Sequence, residues 1–341
     1  MFLLTNVKYK KLNIFYTYLS IIYMDIGILH RIRIERYVFG ILMALSMVLV
    51  AEVSGENEII FPEICALTIG AWVSEQLPWR TNKRRIFFLM SAAALFGVIV
   101  VKYVPLALIF QVCICFGFTG FILTLCKTNF VPIISACILP VYLRTSSWIY
   151  PISVSFMALI IIIAQWQMEK HRFKPVNNFI PCEFDINFQI VKWTKLLVVF
   201  ALLALIPFKT HQIYFLAPPL IVMFTELSNI DSPARKKPLY IIGLMTFSAF
   251  IGSLLRLVLN IYMGMPLFVC TTVACVILFI TLDRLKIFFP PAGAILLIPM
   301  ILDKSLLITF PFEVFIGAIF LTICALFLFK QNDKEDCSPS F

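Results

Sequence analysis

The chain has 341 residues, of which 61% are hydrophobic and only 13% are charged. Soluble domains carry roughly 25% charged residues, so a soluble globular domain and a disordered chain are both excluded. The mean hydropathy of +0.98 indicates that the apolar surface faces a lipid bilayer. At roughly 20 residues per crossing, the length allows about ten to twelve membrane segments. The sequence therefore predicts an all-α polytopic membrane protein whose helices cross or re-enter the bilayer.

The charge is strongly positive, with 28 Lys and Arg against 18 Asp and Glu and a formal net charge of +10. In a membrane protein such cations orient the helices and meet anionic lipid headgroups. No basic patch is interleaved with exposed aromatic residues, so we expect the lipid bilayer as partner and not nucleic acid. The sequence leaves homo-oligomerisation open.

The 10 cysteines and 3 histidines show none of the spacings of a metal site. There is no Cys-x-x-Cys pair and no Cys/His set with zinc spacing. Most of the cysteines lie in apolar runs, which is typical of small buried side chains. P-loop, Gly-x-Ser-x-Gly, His-Glu-x-x-His and Gly-x-Gly-x-x-Gly motifs are also missing. We therefore expect no metal, no cofactor, no enzymatic activity and no self-contained ATP-driven pump.

The first 30 residues do not resemble a membrane crossing. Residues 13–29 are apolar, but the segment is short and Asp25 interrupts it. Basic residues flank it on both sides, which disfavours a crossing because both flanks prefer the cytoplasm. We predict an interfacial or poorly ordered segment over residues 1–30. A translation start at Met24 is an alternative that the sequence leaves open.

Twelve apolar segments follow, six on each side of a polar interval. The first six cover residues 37–54, 59–79, 86–104, 106–126, 130–143 and 147–168. The second six cover residues 191–208, 213–227, 239–262, 266–283, 288–302 and 310–330. Most of them are close to spanning length. The segments 130–143, 213–227 and 288–302 are short and contain proline, which is typical of re-entrant or tilted half-helices.

These segments divide the rest of the chain into four parts. We predict a first membrane repeat over residues 31–168, a linker over 169–190, a second membrane repeat over 191–330 and a tail over 331–341. The linker is the longest polar interval and is too short to form a domain.

Basic residues follow every even-numbered apolar segment. Four lie within 80–85, three within 170–174 and three within 235–237, whereas the exits of the odd-numbered segments carry fewer cations. By the positive-inside rule, both termini, the linker and the tail lie in the cytoplasm. We expect an integral protein of a bacterial cell membrane.

The two halves resemble each other. LMSAAALFG at 89–97 matches LMTFSAFIG at 244–252, and NFVPIISACILPVYL at 129–143 matches FFPPAGAILLIPMIL at 288–302. Each half contributes an even number of segments, so duplicated halves would keep the same orientation and be related by an axis along the membrane normal. The alternative is chance similarity between strings that are rich in Leu, Ile and Phe.

The second half also contains an ordered set of Pro and Gly motifs. Ser232-Pro233-Ala234 leads to Pro238 and to SAFIG at 248–252, and Phe289-Pro290-Pro291-Ala292-Gly293-Ala294 follows about forty residues later. With FLAPPLIVMFTE at 215–226, this order resembles the HPP family of integral membrane proteins over about residues 215–302.

The resemblance implies a secondary transporter or channel for a small solute, such as the anion nitrite. The chain departs from the family at Phe289, where the name-giving histidine belongs, and at Leu244-Met245, where the family often has Gly-His. Any role of those histidines therefore does not carry over.

The Pro-rich motif suggests a binding site by its own physical chemistry. Pro290 and Pro291 suit the start of a helix, and Ala292 and Gly293 allow close approach of another helix. A buried helix N-terminus offers N–H groups and a positive dipole end, which is a natural anion site. Tight helix packing alone is the alternative explanation for these small residues.

Carboxyl groups inside apolar segments are further candidates. Glu63 and Glu226 would be costly in lipid, so each is expected to face a cavity or a partner. A headgroup-level position for Glu63 and an ion pair of Glu226 with Arg235 are the alternatives. The candidate substrate site consists of Pro290, Pro291, Ala292, Gly293, Pro132, Ser135, Glu63 and Glu226.

A non-transporting scaffold, or a subunit of a larger membrane complex, is the alternative function. The missing family histidines and the few intramembrane charges favour it. An intramembrane enzyme is disfavoured because no nucleophile–base pair can be named. Exporters of aromatic acids also have duplicated helical halves, but they usually carry a large soluble domain that this sequence does not contain.

Overall fold

The computed structural model describes residues 33–176, 181–182 and 186–329. The predicted N-terminal segment 1–30 and the tail 331–341 lie outside these residues, as does part of the predicted linker. All regular structure in the described residues is helical. By internal contacts the chain forms two compact units, Met1–Phe39 and Gly40–Phe341. The described part of the first unit is the start of a helix, and the second unit contains the rest.

Twelve helices are numbered here along the described residues. They are α1 (Arg33–Ser54), α2 (Glu63–Thr68, continued as a π-helix over Ile69–Val73), α3 (Lys83–Tyr103), α4 (Leu108–Leu125), α5 (Pro132–Leu143), α6 (Ile149–Lys170), α7 (Ile186–Lys209), α8 (Pro218–Ser228), α9 (Pro238–Leu255, continued as a π-helix over Arg256–Tyr262), α10 (Leu267–Leu285), α11 (Pro290–Leu297, continued as a 3₁₀ turn over Ile298–Met300) and α12 (Phe310–Leu328). Eight of them are long and apolar enough to cross a membrane by length and composition, and α2, α5, α8 and α11 are the short ones.

The long helices agree with the apolar segments to within a few residues, but the second segment does not. The sequence predicted near-spanning length over residues 59–79, whereas the helix covers only residues 63–73. Backbone extension at Ser74 ends the helix. The chain then folds Trp79 back onto Gly70, where an added Cβ would overlap with the indole ring. This packing replaces further helical turns.

The four short helices form the centre of the second unit. Every residue of α11 and every residue of α2 before its π-helix is buried, and the same holds for all of α5 except Leu143 and all of α8 except Glu226. Helix α2 packs against α11, and α5 packs against α8. By contrast, less than half of the most apolar stretch of each long helix is buried inside the protein. The long helices therefore surround the short ones and present apolar faces outward to lipid.

Two glycines let long helices approach short ones closely. A Cβ on Gly97 of α3 would overlap with the carbonyl oxygen of Cys137 in α5. A Cβ on Gly252 of α9 would overlap with the carbonyl oxygen of Leu296 in α11. The backbones therefore touch, which is the contact that small residues permit between membrane helices.

Polar contacts tie the loops together at the two ends of the bundle. At one end, which we call the basic end, Arg80 N donates to Asn129 Oδ1 at 2.7 Å and Lys83 pairs with Glu169. At the opposite end, Leu267 N donates to Glu52 Oε1 at 2.8 Å. These bonds join segments that are distant in sequence and fix which helix ends lie together.

Candidate functional site

A cavity of about 340 Å³ lies where the ends of the short helices meet. Its lining comes from α2, the segment after α2, the start of α5, α8, the segment after α8, and the start of α11. The lining residues are Glu63, Ala66, Ser74, Gln76, Leu77, Pro78, Trp79, Asn129, Val131, Pro132, Ser135, Pro219, Val222, Glu226, Asn229, Asp231, Ser232, Pro233, Ala234, Lys286, Phe288, Phe289, Pro290, Pro291 and Ala294. Both halves of the chain therefore contribute to one cavity.

Six of the eight predicted site residues line this cavity. They are Glu63, Pro132, Ser135, Glu226, Pro290 and Pro291. The other two, Ala292 and Gly293, are buried beside it. An added Cβ on Gly293 would lie 2.6 Å from Ile69 Cδ1 and 2.9 Å from Cys65 Sγ. Close packing of α11 against α2 thus accounts for Gly293.

The start of α11 offers fewer N–H donors than a typical helix N-terminus. Pro290 and Pro291 have no N–H group, and Ala292 N already donates to Phe289 O at 3.1 Å. At the start of α5, Ile134 N donates to Val131 O at 3.0 Å. The helix starts therefore supply dipole ends to the cavity but few free donors for an anion.

Glu63 is a buried carboxyl group at the cavity wall. Only 1% of its surface is exposed, so it is not a solvated headgroup-level carboxylate. Ser135 Oγ, on α5, donates a hydrogen bond to Glu63 Oε1. The second oxygen, Oε2, is buried and accepts no hydrogen bond from the described residues. The two predicted site residues thus form one polar pair with an open acceptor.

Glu226, on α8, lines the cavity. It does not form the ion pair with Arg235 that was the alternative expectation. Its Oε1 accepts a hydrogen bond from Ser232 Oγ at 3.1 Å. Arg235 Nη1 donates to Leu227 O at 2.7 Å, and Nη2 donates to Phe329 O. Desolvation lowers the pKa of the Arg235 guanidinium, and the group stays charged at neutral pH. Arg235 therefore caps the ends of α8 and α12 and leaves Glu226 to the cavity.

The lining carries more carboxyl groups than cations. Glu63, Glu226 and Asp231 face it together with Lys286. The Lys286 ammonium is itself 2.9 Å from Asp283 Oδ1. Within the described residues, no group of three or more His, Cys, Asp or Glu side chains forms a metal cluster. The site is thus a small, partly polar chamber with an excess of acidic groups.

Sequence reasoning missed several lining residues, above all Trp79 and Asp231. Trp79 is 4% exposed and meets the Phe130 ring edge-on at a centroid distance of 5.1 Å. A signal was present in the sequence, because Pro78-Trp79-Arg80 and Pro233-Ala234-Arg235 stand 155 residues apart, the same offset as the matched strings at 89–97 and 244–252. Following that offset outward would have found both loops.

Comparison with known families matches residues 183–336 to the HPP transmembrane region. The chain matches no curated protein and no solved structure. The matched stretch contains α7 to α12, and with them the Pro290-Pro291 motif and the loop that carries Pro233. The family assignment also agrees with the eight candidate spans. The chain is a multi-pass membrane protein, and its residues 183–336 belong to the HPP transmembrane region family.

Proposed function

We propose that the protein is a secondary transporter or channel that moves a small solute across the membrane through the cavity between its short helices. The observation that carries the proposal is the convergence of interrupted helices on one chamber. Interrupted helices and irregular backbone are tolerated within a membrane where they line a cavity, and they build the binding sites of many transporters. A volume of about 340 Å³ lies at the small end of the range for ligand pockets, roughly 300–1,000 Å³.

The proposed substrate is a small anion such as nitrite, as the family resemblance implies. Lys286 and the dipole ends of α5 and α11 support an anion. The test is uptake of nitrite, nitrate, formate and small neutral solutes into proteoliposomes that contain the purified chain. Uptake of at least one anion above the rate of protein-free vesicles is expected. Equal rates for every solute in the panel would refute transport of this class.

We propose further that the two halves arose by duplication. The contacts of Gly97 with Cys137 and of Gly252 with Leu296 support this, because these pairs fall on the offsets of the matched strings, 155 and 159. Trp79 precedes α3 and Ala234 precedes α9, and both line the same cavity. Inverted halves would separate these helix starts by about 30 Å, the length of a 20-residue helix. The arrangement therefore supports an axis along the membrane normal.

The basic end of the bundle is proposed to face the cytoplasm of a cell, with both chain termini on that side. The clusters at 80–85 and 235–237 precede α3 and α9 there, beside the cavity. At the opposite end the loops carry fewer cations, among them Arg144 and Lys209. The positive-inside rule favours this orientation.

A non-transporting scaffold or complex subunit is the second candidate. It is supported by Phe289, which lines the cavity and is 4% exposed where the family has a histidine. That substitution removes a titratable group from the chamber. Co-purification with a partner at fixed stoichiometry, together with no uptake of any solute, would favour it. For either candidate we propose no catalytic activity.

A further inference from the structure

We infer that Glu63 carries a proton that crosses the membrane with the solute, so that transport through the cavity is driven by protons. The inference rests on the proposed function and adds the coupling ion and the residue that binds it. It is argued from the position of one carboxyl group, from the groups that surround it, and from the charge of the chamber.

The geometry of Glu63 fits a proton carrier. One oxygen is held by the Ser135 hydroxyl, which fixes the side chain, while Oε2 is buried without a hydrogen bond from the described residues. The same residue lines the cavity. In the proposed cycle a proton on Oε2 passes to water or to a solute when the chamber opens to this atom, and the bond to Ser135 stays in place. A carboxyl group that is costly to bury and lacks a cation partner is a typical functional group within a membrane.

The groups around Glu63 in the described residues include no cation bonded to its carboxylate, so a proton is the charge that would neutralise it. Helix α11, which packs against α2, contains no ionisable side chain. The titratable side chains of α5 are Cys137 and Tyr142. On α6, Tyr150 interacts electrostatically with Glu63, and its hydroxyl donates to Ala136 O at 2.9 Å. Across the cavity stand Glu226 and Asp231 on the side of α8, and Lys286 after α10. No hydrogen bond or ion pair within the described residues joins Glu63 to a cation.

A proton fits this position better than a sodium ion. A metal cation needs several oxygen ligands at short distance. At Glu63 the hydroxyl of Ser135 is the one side-chain oxygen bonded to the carboxyl group, and Ala66, Pro132 and Pro219 line the cavity nearby. A proton needs only Oε2 itself.

Proton binding also resolves the charge conflict of an anion site. Three ionised carboxylates around the chamber would repel an anion, and Lys286 in the lining together with Lys192 beside Glu226 would not offset all three. Protonation converts Glu63 from carboxylate to carboxylic acid, which removes one negative charge and adds an O–H donor. The anion then enters with one proton, and both leave on the other side when the O–H bond breaks and the proton returns to water. No electron is exchanged, and the net movement is electrically neutral.

In the proposed duplication this proton site exists once per chain. At the offsets of 155 and 159, Glu63 corresponds to Pro218 and Ser135 corresponds to Ala294. Neither counterpart has a polar side chain. The expected stoichiometry is therefore one proton for each anion.

The test uses the full chain in proteoliposomes, with nitrate as the probe, because undissociated nitrous acid crosses lipid and would carry nitrite with a proton even without protein. A tenfold proton gradient, acidic outside, should drive about tenfold accumulation at one-to-one coupling, since each 1.4 kcal/mol corresponds to a factor of ten. Protein-free vesicles give the passive leak. In Glu63→Gln the ratio of accumulation with and without the gradient should fall to about one. Glu58→Gln is the matched control, because Glu58 also accepts a hydrogen bond from a hydroxyl, that of Thr145, but lies outside the cavity.

A second readout does not depend on transport. Infrared difference spectra of the purified protein should show the C=O stretch of a protonated carboxyl group near neutral pH, and Glu63→Gln should lack this band. An unchanged band in the variant would overturn the assignment to Glu63 even if the variant transports nothing. Accumulation driven by a sodium gradient at constant pH, or a normal gradient response in Glu63→Gln, would also overturn it. If the wild type shows the band but moves no solute, the proposed function fails and the proton site stands.

Discussion

Replacing a glycine at a helix contact gives a sharp test of the packing, because α9 carries both the contact glycine and its control. An added Cβ on Gly252 would overlap with the Leu296 carbonyl oxygen and lie 3.2 Å from its carbonyl carbon and 3.1 Å from Pro299 Cγ. Carbon atoms in contact normally stay about 3.5–4.0 Å apart. The atoms in the way include backbone of α11, so the two helices must separate. Overpacking of this kind costs about 1–3 kcal/mol.

The control is Gly243→Ala, nine residues earlier on the same helix, where no atom lies within 4 Å of the added Cβ. There alanine should be neutral or stabilising by about 0.5–1 kcal/mol, since glycine is unfavourable within a helix. At about 2–4 °C per kcal/mol, Gly252→Ala should unfold about 2–12 °C below wild type in detergent, whereas Gly243→Ala should not. The assay is thermal unfolding at one scan rate. Equal temperatures for the two variants would refute the backbone contact.

The remaining predictions concern two further glycines and two lysines in loops. Gly97→Ala should destabilise the protein about as much as Gly252→Ala, because it meets the equivalent carbonyl on α5; an unchanged unfolding temperature would contradict this. Gly293→Ala should lower stability and uptake together because Gly293 packs against α2, and lost uptake at normal stability would instead place solute there. In a cysteine-free background, Lys236→Cys should react with an impermeant thiol reagent only from the cytoplasmic side and Lys304→Cys only from outside; the reverse would invert the proposed orientation.

Hydropathy predicts most of the fold because the bilayer constrains the length and apolar character of each crossing within one stretch of sequence. A crossing needs a run of apolar residues of fixed length, so α3 and α4 begin and end within three residues of the predicted segments. The predicted length of the second segment was wrong because the end of that helix depends on tertiary packing. Trp79 lies on Gly70 and Pro78 lines the cavity, and neither contact is visible in the hydropathy of residues 59–79.

The candidate site could be predicted in part for the same reason. Pro132 and Pro290 mark helix starts, and helix starts are local features that sequence reveals. The role of Glu63 depends on Ser135, which is 72 residues away, so a headgroup-level carboxylate was an equally good expectation. Arg256 donates to the carbonyl of Pro299, 43 residues away, a partner that only the folded chain brings near.

Plugging the cavity tests the central claim most directly. Ala234 lines the chamber from a loop and is half-buried, and in the proposed duplication it occupies the place that Trp79 has in the first half. Ala234→Trp should fill the space with little effect on folding, which an unchanged unfolding temperature would verify. The account predicts that this variant takes up nitrite in proteoliposomes no faster than protein-free vesicles do, while Gly243→Ala matches the wild type. Wild-type uptake by a folded Ala234→Trp variant would contradict the account, because the solute would then follow another path.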